Sequence, residues 1–201
     1  MRMGLFAVTA AVVLAFSPAT HAATWDIDAG HSQVGFSIRH LMVSNVKGEF
    51  AKVTGTLTLD EKDVTQSSAQ AVIDAASINT RDPKRDEHLR SPDFFDVAKY
   101  PTITFKSKSV RKAGDKLKIV GDLTMHGVTR EVTLDATAPT REVVFNGLTK
   151  TGLTATTQIN RKDFGISWNK ALDNGGIALG EEVAIALELE FDKKVSPTAQ
   201  K

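Results

Sequence analysis

The 201-residue chain is 41% hydrophobic and 24% charged, a globular composition that excludes a disordered chain or a multi-span membrane protein. Its 25 Lys and Arg against 24 Asp and Glu leave a net charge of +1, so a nucleic acid would find no basic footprint. The absence of cysteine removes disulfides, thiol nucleophiles, Cys-ligated zinc and iron–sulfur clusters.

Met1-Arg2-Met3 supplies a short basic region, residues 5–16 are nearly all apolar, and Ser17-Pro18 precedes the small-residue end Thr20-His21-Ala22. That order is the pattern of a secretory signal peptide. An apolar run of about a dozen residues falls short of the roughly 20 that span a bilayer. Residues 1–22 are therefore expected to be a cleaved leader and 23–201 one mature domain, located in the periplasm. No cysteine follows the cleavage point, which excludes a lipoprotein anchor, and loss of Arg2 leaves equal numbers of basic and acidic residues.

From residue 24 onward the dominant period is two, that of strands. Val34, Phe36 and Ile38 share one face. Val53, Gly55, Leu57 and Leu59 alternate with threonines, and Ala69, Ala71, Ile73 and Ala75 follow as a stripe of mostly small residues. Ile103 and Phe105 come next, then Leu117, Ile119, Gly121, Leu123 and Met125, then Val128, Val132 and Leu134, then Leu153, Ala155 and Ile159. The clearest stripe is Val183, Ile185, Leu187, Leu189 and Phe191, opposed by Ala184, Ala186, Glu188 and Glu190. Turn residues at 45–48, 113–115, 146–147 and 174–176 separate these runs.

Two segments break the rhythm. Asp82-Pro83 reads as an N-cap followed by proline at the first helical position, starting a short helix around Arg85 to Leu89. Ser91-Pro92 repeats that start signal before Phe94 and Phe95. The second break, 161–176, carries Phe164 and Trp168 in an irregular or one-turn helical excursion. About eight strands with short turns and little helix predict an all-β, antiparallel sheet that must close, as a sandwich or a barrel, to protect its edges. An eight-stranded barrel can hold one small ligand, and the small-residue stripes leave room in its lumen.

Catalytic patterns are mostly absent. Gly165-Ile166-Ser167 lacks the second glycine of a nucleophile elbow, and no phosphate-binding loop or dinucleotide fingerprint occurs. His31, His40, His88 and His126 show no zinc-ligand spacing, so no metal site is expected. Within the first break Arg85 and Asp86 read as a helix-surface ion pair, and Arg161 with Asp163 reads as a turn-fixing pair. Lys106, Lys108, Arg111, Lys112, Lys116 and Lys118 make one hairpin basic, either as a solvated surface or as a transient dock for an anionic membrane.

Several strings occur in a fixed order: Asp28-x-x-His31-Ser32-x-Val34-x-Phe36-x-Ile38-x-His40, Val46-x-Gly48-x-Phe50, Gly55-x-Leu57 and Ser77-Ile78-x-Thr80. They continue with Arg85-Asp86-x-His88-Leu89-x-Ser91-x-Asp93-Phe94-Phe95-Asp96, Tyr100-Pro101-x-Ile103-x-Phe105, Gly121-x-Leu123-x-x-x-Gly127-Val128-Thr129 and Arg161-x-Asp163-Phe164-Gly165. Together they resemble the YceI-like family of secreted, lipocalin-like barrels that bind polyisoprenoids, over residues 25–191. The resemblance implies an eight-stranded antiparallel β-barrel, with short helical segments between strands, around a long hydrophobic channel. It also implies a non-catalytic carrier for an isoprenoid lipid, either an isoprenoid quinone or a polyprenyl phosphate, with no other cofactor, acting as a monomer or homodimer. The alternative is a barrel enzyme using His and carboxylate groups on a small apolar substrate.

For a carrier, the candidate ligand-binding residues are Phe36, Ile38, Phe50, Leu89 and Phe105 along the channel. Phe94, Phe95, Phe164 and Trp168 would cover the start of the tail, and His40, His88, Arg85 and Arg161 would meet the head. Selectivity for a polar head must come from irregular segments at a mouth, since alternating strands make a uniform wall.

Overall fold

The computed structural model describes residues 22–173 and 175–194, so the expected leader lies outside the described residues except for Ala22, and Asn174 of the last turn lies outside them too. The strands are β1 (Ala22–Ile27), β2 (Gln33–His40), β3 (Ser44–Phe50), β4 (Val53–Asp60), β5 (Ser68–Asp74) and β6 (Ile78–Asn79). They continue with β7 (Thr102–Ala113), β8 (Lys116–Met125), β9 (Val128–Thr137), β10 (Val143–Phe145), β11 (Leu148–Asn160) and β12 (Leu179–Lys193), and an α-helix, α1, spans Pro83–Arg90.

One antiparallel sheet closes on itself through β11, β9, β8, β7, β5, β4, β1 and β12, with β12 pairing back onto β11. The remaining strands, β2, β3, β6 and β10, extend four members of that ring, with β10 continuing β9 along β11. β1 and β2 lie end to end along one edge of β12, pairing Ile27 with Phe191 and Gln33 with Glu188. β3 and β4 follow them along β2 and β1, and β6 extends β5 along β3. The barrel therefore has eight long strands, four of them interrupted, and full closure removes the exposed edges that an open sheet would carry. The stripe that is clearest in the sequence is also the strand held on both edges. Val183, Ile185, Leu187, Leu189 and Phe191 face the interior, and the alternating Ala184, Ala186 and Glu188 face solvent.

Register sorts the connections into two ends. The β7–β8 and β10–β11 hairpins, the start of β1 and a 3-10 turn at Val64–Gln66 gather at one end. There Trp25 is fully buried against a cluster with Leu117, Leu134 and Phe191, and this packing closes the barrel floor. At the other end lie α1, the 91–101 segment, the β8–β9 turn, a 3-10 turn at Arg161–Phe164 and the 165–178 excursion.

Helix α1 starts as the sequence predicts: Asp82 Oδ1 accepts from the Lys84 and Arg85 amides at 3.1 and 3.2 Å, with Pro83 in the first turn. Ser91-Pro92, expected to start a second helix, instead ends the first. The carbonyls at the end of α1 have no intrahelical partner and capture the following amides, Phe95 N–H to Leu89 O and Val97 N–H to Arg90 O. The chain folds back onto α1 before another helix can form.

The break between β1 and β2 at residues 28–32 is pinned by Lys150 on β11. Its Nζ lies 2.8 Å from Asp28 Oδ2, 2.9 Å from Glu190 Oε1 and 2.7 Å from Asp192 Oδ1, and His31 Nδ1 lies 2.8 Å from Asp28 Oδ2. The Lys150 contact, then the His31 contact, holds the Asp28 carboxyl well below its ordinary range, and Asp192, Asp28 and Glu190 push the Lys150 ammonium up. A carboxyl whose folded pKa is depressed contributes stability above its unfolded pKa and loses it as pH falls toward the folded one. Lys150→Met is thus expected to lower Tm at neutral pH, with the gap from wild type closing as pH falls below about 4, where unfolded carboxylates protonate. Thermal melts across pH check this; a gap that stays constant into acid would show that the lysine acts through packing alone.

Candidate binding cavity

The interior holds a cavity of about 410 Å³. Its lining on β12 runs from Leu179 to Phe191, about 40 Å along the strand and about 30 Å along the axis of a barrel with strands tilted by ~40°. Along that length the lining of this slot is almost entirely apolar side chains. Inward Val183, Ile185 and Leu187 are only half-buried although they face inward, because the space before them is empty.

The slot exists because small residues sit in the wall beside large ones. Ala69, Ala71 and Ala155 line it with Phe36, Phe50 and Phe105. Phe36 lies over Gly48, where a Cβ would come within 2.4 Å of the ring, and Phe105 lies over Gly121, where the same approach is 2.5 Å. Each glycine lets an aromatic ring lie flat on the wall, where any side chain would drive it into the lumen.

All the sequence-predicted site residues except Phe164 border this cavity: Phe36, Ile38, His40, Phe50, Arg85, His88, Leu89, Phe94, Phe95, Phe105, Arg161 and Trp168. Phe164 is only 1% exposed and packs behind the lining, because the 3-10 turn that carries it aims its ring into the core. The two irregular segments meet at one mouth: the His88 ring stands edge-on to Phe94 and to Trp168, both at 5.0 Å, and Phe94 lies 5.2 Å from Trp168.

Arg85 pairs with the N-cap Asp82, at 3.8 Å, rather than with Asp86, Arg161 does not pair with Asp163, and backbone carbonyls or a hydroxyl take the closest positions on both arginines. Arg85 Nε donates to Thr80 Oγ1 at 2.7 Å and Nη2 to the Thr80 carbonyl at 2.8 Å. The buried Asp86 accepts from the Thr80 amide and hydroxyl instead, at 2.8 and 2.6 Å. Thr80 is thus the joint between β6 and α1, a role sequence alone did not assign. Arg161 is 3% exposed. Its Nε donates to the Gly180 carbonyl and its Nη1 to the carbonyls of Ile166 and Trp168, at 2.8–2.9 Å. Nη2 is buried without a hydrogen-bond partner among the described residues. Burial pulls the Arg161 pKa down, yet a guanidinium stays charged.

Polar lining away from the mouth is limited to Thr56, Gln70 and Thr157. The one His–carboxylate contact at the mouth, His88 Nε2 to Asp93 Oδ2 at 2.9 Å, is about half exposed on both sides, and Asp93 does not line the cavity. General acid–base catalysis asks for two groups converging on a desolvated point, which this pair does not provide. His126, in the β8–β9 turn, donates from Nδ1 to the Phe164 carbonyl at 3.1 Å.

Fold and cavity together define a closed eight-stranded barrel with an apolar slot open toward one decorated end. The YceI-like domain matches residues 25–191, and the chain belongs to that family. It is 41% identical over 172 residues to the UPF0312 protein SAS2572 of Staphylococcus aureus, covering 82% of this chain and 94% of that protein. Among solved structures it is similar to BcnA of Burkholderia cenocepacia, with TM-score 0.68 and 25% identity over 82% of this chain and 98% of that one. It also shares its fold with a polyisoprenoid binding domain from Saccharophagus degradans, implicated in plant cell wall breakdown, with TM-score 0.62 and 16% identity over 86% of this chain and 99% of that one.

Proposed function

We propose that this protein is a non-catalytic periplasmic carrier that holds one long isoprenoid lipid, a quinone or a polyprenyl phosphate, without any other cofactor. The observation that carries the reading is the narrow apolar slot with cationic side chains only at its mouth. Each CH₂ withdrawn from water contributes about 0.8 kcal/mol, so a tail laid along the slot gains affinity with every isoprene unit, less the entropy of ordering it. Arg161 supports a head that carries oxygen: its guanidinium is buried with no carboxylate within ion-pair distance among the described residues, only the more distant charge of Glu181 reaching it, which is unfavourable, and a phosphate or quinone oxygen at the mouth relieves that. Membership in the YceI-like family and the fold shared with a polyisoprenoid binding domain support the same ligand class. The leader over residues 1–22 supports export.

Native mass spectrometry of the full chain expressed with its leader is the test. The expected spectrum shows the mature protein with an added mass that fragments to a prenyl lipid. Protein that emerges empty, and takes up neither added ubiquinone nor polyprenyl phosphate, would overturn the reading.

A further inference from the structure

The barrel wall is not held equally all the way round. β11 pairs with β12 from Lys150 opposite Asp192 to Asn160 opposite Glu182, and β8 pairs with β9 from Lys116 opposite Thr137 to Met125 opposite Val128. Between β9 and β11 the ladder holds only Ala155 opposite Ala136 and Thr156 opposite Asp135, and among the described residues no further pair joins these two long strands. Toward the mouth, residues 128–134 and 157–160 run past each other unpaired, and side chains bridge the seam instead. Thr157 Oγ1 donates to the Thr133 carbonyl at 2.8 Å, Arg130 Nε to the Asp163 carbonyl at 3.1 Å, and His126 Nδ1 to the Phe164 carbonyl at 3.1 Å. The His126 ring also rests on Tyr100, 4.9 Å between centroids. Val132 and Leu134 on one margin and Thr157 and Ile159 on the other line the cavity, so a parted seam opens the slot along its flank.

The mouth is stapled more firmly than the seam. Arg85 and Asp86 both fasten α1 to Thr80, and Arg90 donates to the carbonyls of Ala76 and Ile78 at 2.8 and 2.9 Å. Across the opening, Arg161 ties the 165–178 excursion to the start of β12. Asn169 does the same, its Nδ2 donating to the Leu179 carbonyl at 2.8 Å and its Oδ1 accepting from the Leu179 amide at 3.1 Å. The body on the other side of the seam is the β8–β9 hairpin. Lys118 pairs with Asp135 within it, and Lys108 on β7 pairs with Asp122 and Glu131, so the hairpin that reads as basic in the sequence is largely neutralised. The β7–β8 ladder shifts register between Ser107 and Ser109, opposite Gly121 and Val120, and a sheet bends at such a bulge. Gly121 lies opposite Val132 on β9, which puts this bend level with the unpaired seam.

We propose that the seam between β9 and β11 is a lateral gate through which a lipid tail enters and leaves the barrel. The β8–β9 hairpin swings at the 107–109 bulge, the three side-chain bonds part, and the tail passes sideways into the slot while the mouth segments stay in place around the head. Regions with few backbone bonds and exposed ones open first. This opening breaks no ladder pair, and the Thr157 and Arg130 bonds are both exposed. A tail that enters sideways need not thread its whole length past the rings of His88, Phe94 and Trp168. The inference rests on the carrier reading for what passes through, but the opening itself belongs to the empty protein.

A chain without cysteine allows the gate to be locked selectively. Continuing the β9–β11 register sets Thr133 opposite Gln158, both exposed. Thr133→Cys with Gln158→Cys, bridged by an ethylene bis-methanethiosulfonate, is the lock. Gln158→Cys with Ala184→Cys, opposite each other in the β11–β12 ladder, carries the same linker as the control. Uptake of ubiquinone from detergent micelles by mature protein freed of lipid, and its release, are followed by native mass spectrometry. The lock should slow both rates about tenfold, leave the final occupancy unchanged and be reversed by dithiothreitol, while the control exchanges as wild type does. Arg130→Met with Thr157→Val should speed both rates severalfold. The gate is overturned if the locked protein exchanges at the wild-type rate, if lock and control slow exchange alike, or if the loosened variant exchanges no faster. Hydrogen exchange on the empty proteins separates the two readings. Fast exchange over residues 128–134 that the lock suppresses, in a wild type that takes up no ubiquinone, defeats the carrier alone. Ubiquinone that loads equally fast with the seam locked or free defeats the gate alone.

Discussion

Phe36→Asp and Phe105→Asp are each expected to empty the barrel of lipid while leaving it folded. The two rings stand on different walls, Phe36 on β2 and Phe105 on β7, and both border the slot. Both are partly exposed to that empty space, so their replacement leaves no sealed void in the core. An aspartate at either site turns its carboxylate into a lumen whose nearest wall is carbon. With the slot empty, water can solvate that charge. A tail laid over it would strip the water away, at an effective cost of several kcal/mol. A loss of about 3 kcal/mol already lowers affinity more than a hundredfold. Native mass spectra should show apo protein for both variants and loaded protein for Phe36→Leu and Phe105→Leu, with circular dichroism unchanged throughout. Folded aspartate variants that keep their lipid would place the tail somewhere other than this slot.

The alternating stripes made the barrel legible because period two survives in any antiparallel wall, and the stripe on β12 reads directly as lumen. Closure itself was legible only as a need. Nothing local in β11 or β12 announces that they pair, and the four interrupted strands look like separate elements because residues 28–32, 51–52, 75–77 and 138–142 break the pattern without breaking the direction. The caps of α1 were readable since Asp82, Pro83 and the two following amides lie within a few residues. Charge partners were not. Asp86 and Asp163 are the nearest acids in sequence to Arg85 and Arg161, but the arginines bond to Thr80 and to the carbonyls of Gly180, Ile166 and Trp168. A backbone carbonyl has no sequence signature. Lys150 gathers acids from residues 28, 190 and 192, which only the meeting of β11, β12 and the β1–β2 break brings together. The neutralised Lys108 and Lys118 hairpin went unread for the same reason.

The two mouth arginines should therefore fail in different ways. Arg161 ties the 165–178 excursion to the start of β12 through three carbonyls. Arg161→Met keeps the apolar stem and removes every donor. Each buried carbonyl left without a partner costs about 1–3 kcal/mol, so the total loss is about 3–5 kcal/mol once water re-enters part of the site. Arg161→Lys cannot span all three acceptors with one ammonium and should recover only part of that loss. Arg85 is partly exposed and, among the described residues, hydrogen-bonds only to Thr80 and pairs at 3.8 Å with Asp82. Arg85→Gln should leave the melting temperature nearly unchanged. Its effect should fall on the ligand: a charge-assisted contact at a half-solvated mouth is worth about a tenfold difference in affinity, so polyprenyl phosphate should weaken about tenfold relative to the neutral polyprenol of equal length. Competition binding with that pair of lipids, beside thermal melts of all three variants, separates the roles. If Arg85→Gln weakened both lipids equally, its guanidinium would serve only the joint at Thr80, and Arg161 would be left as the only arginine at the mouth able to favour a charged head.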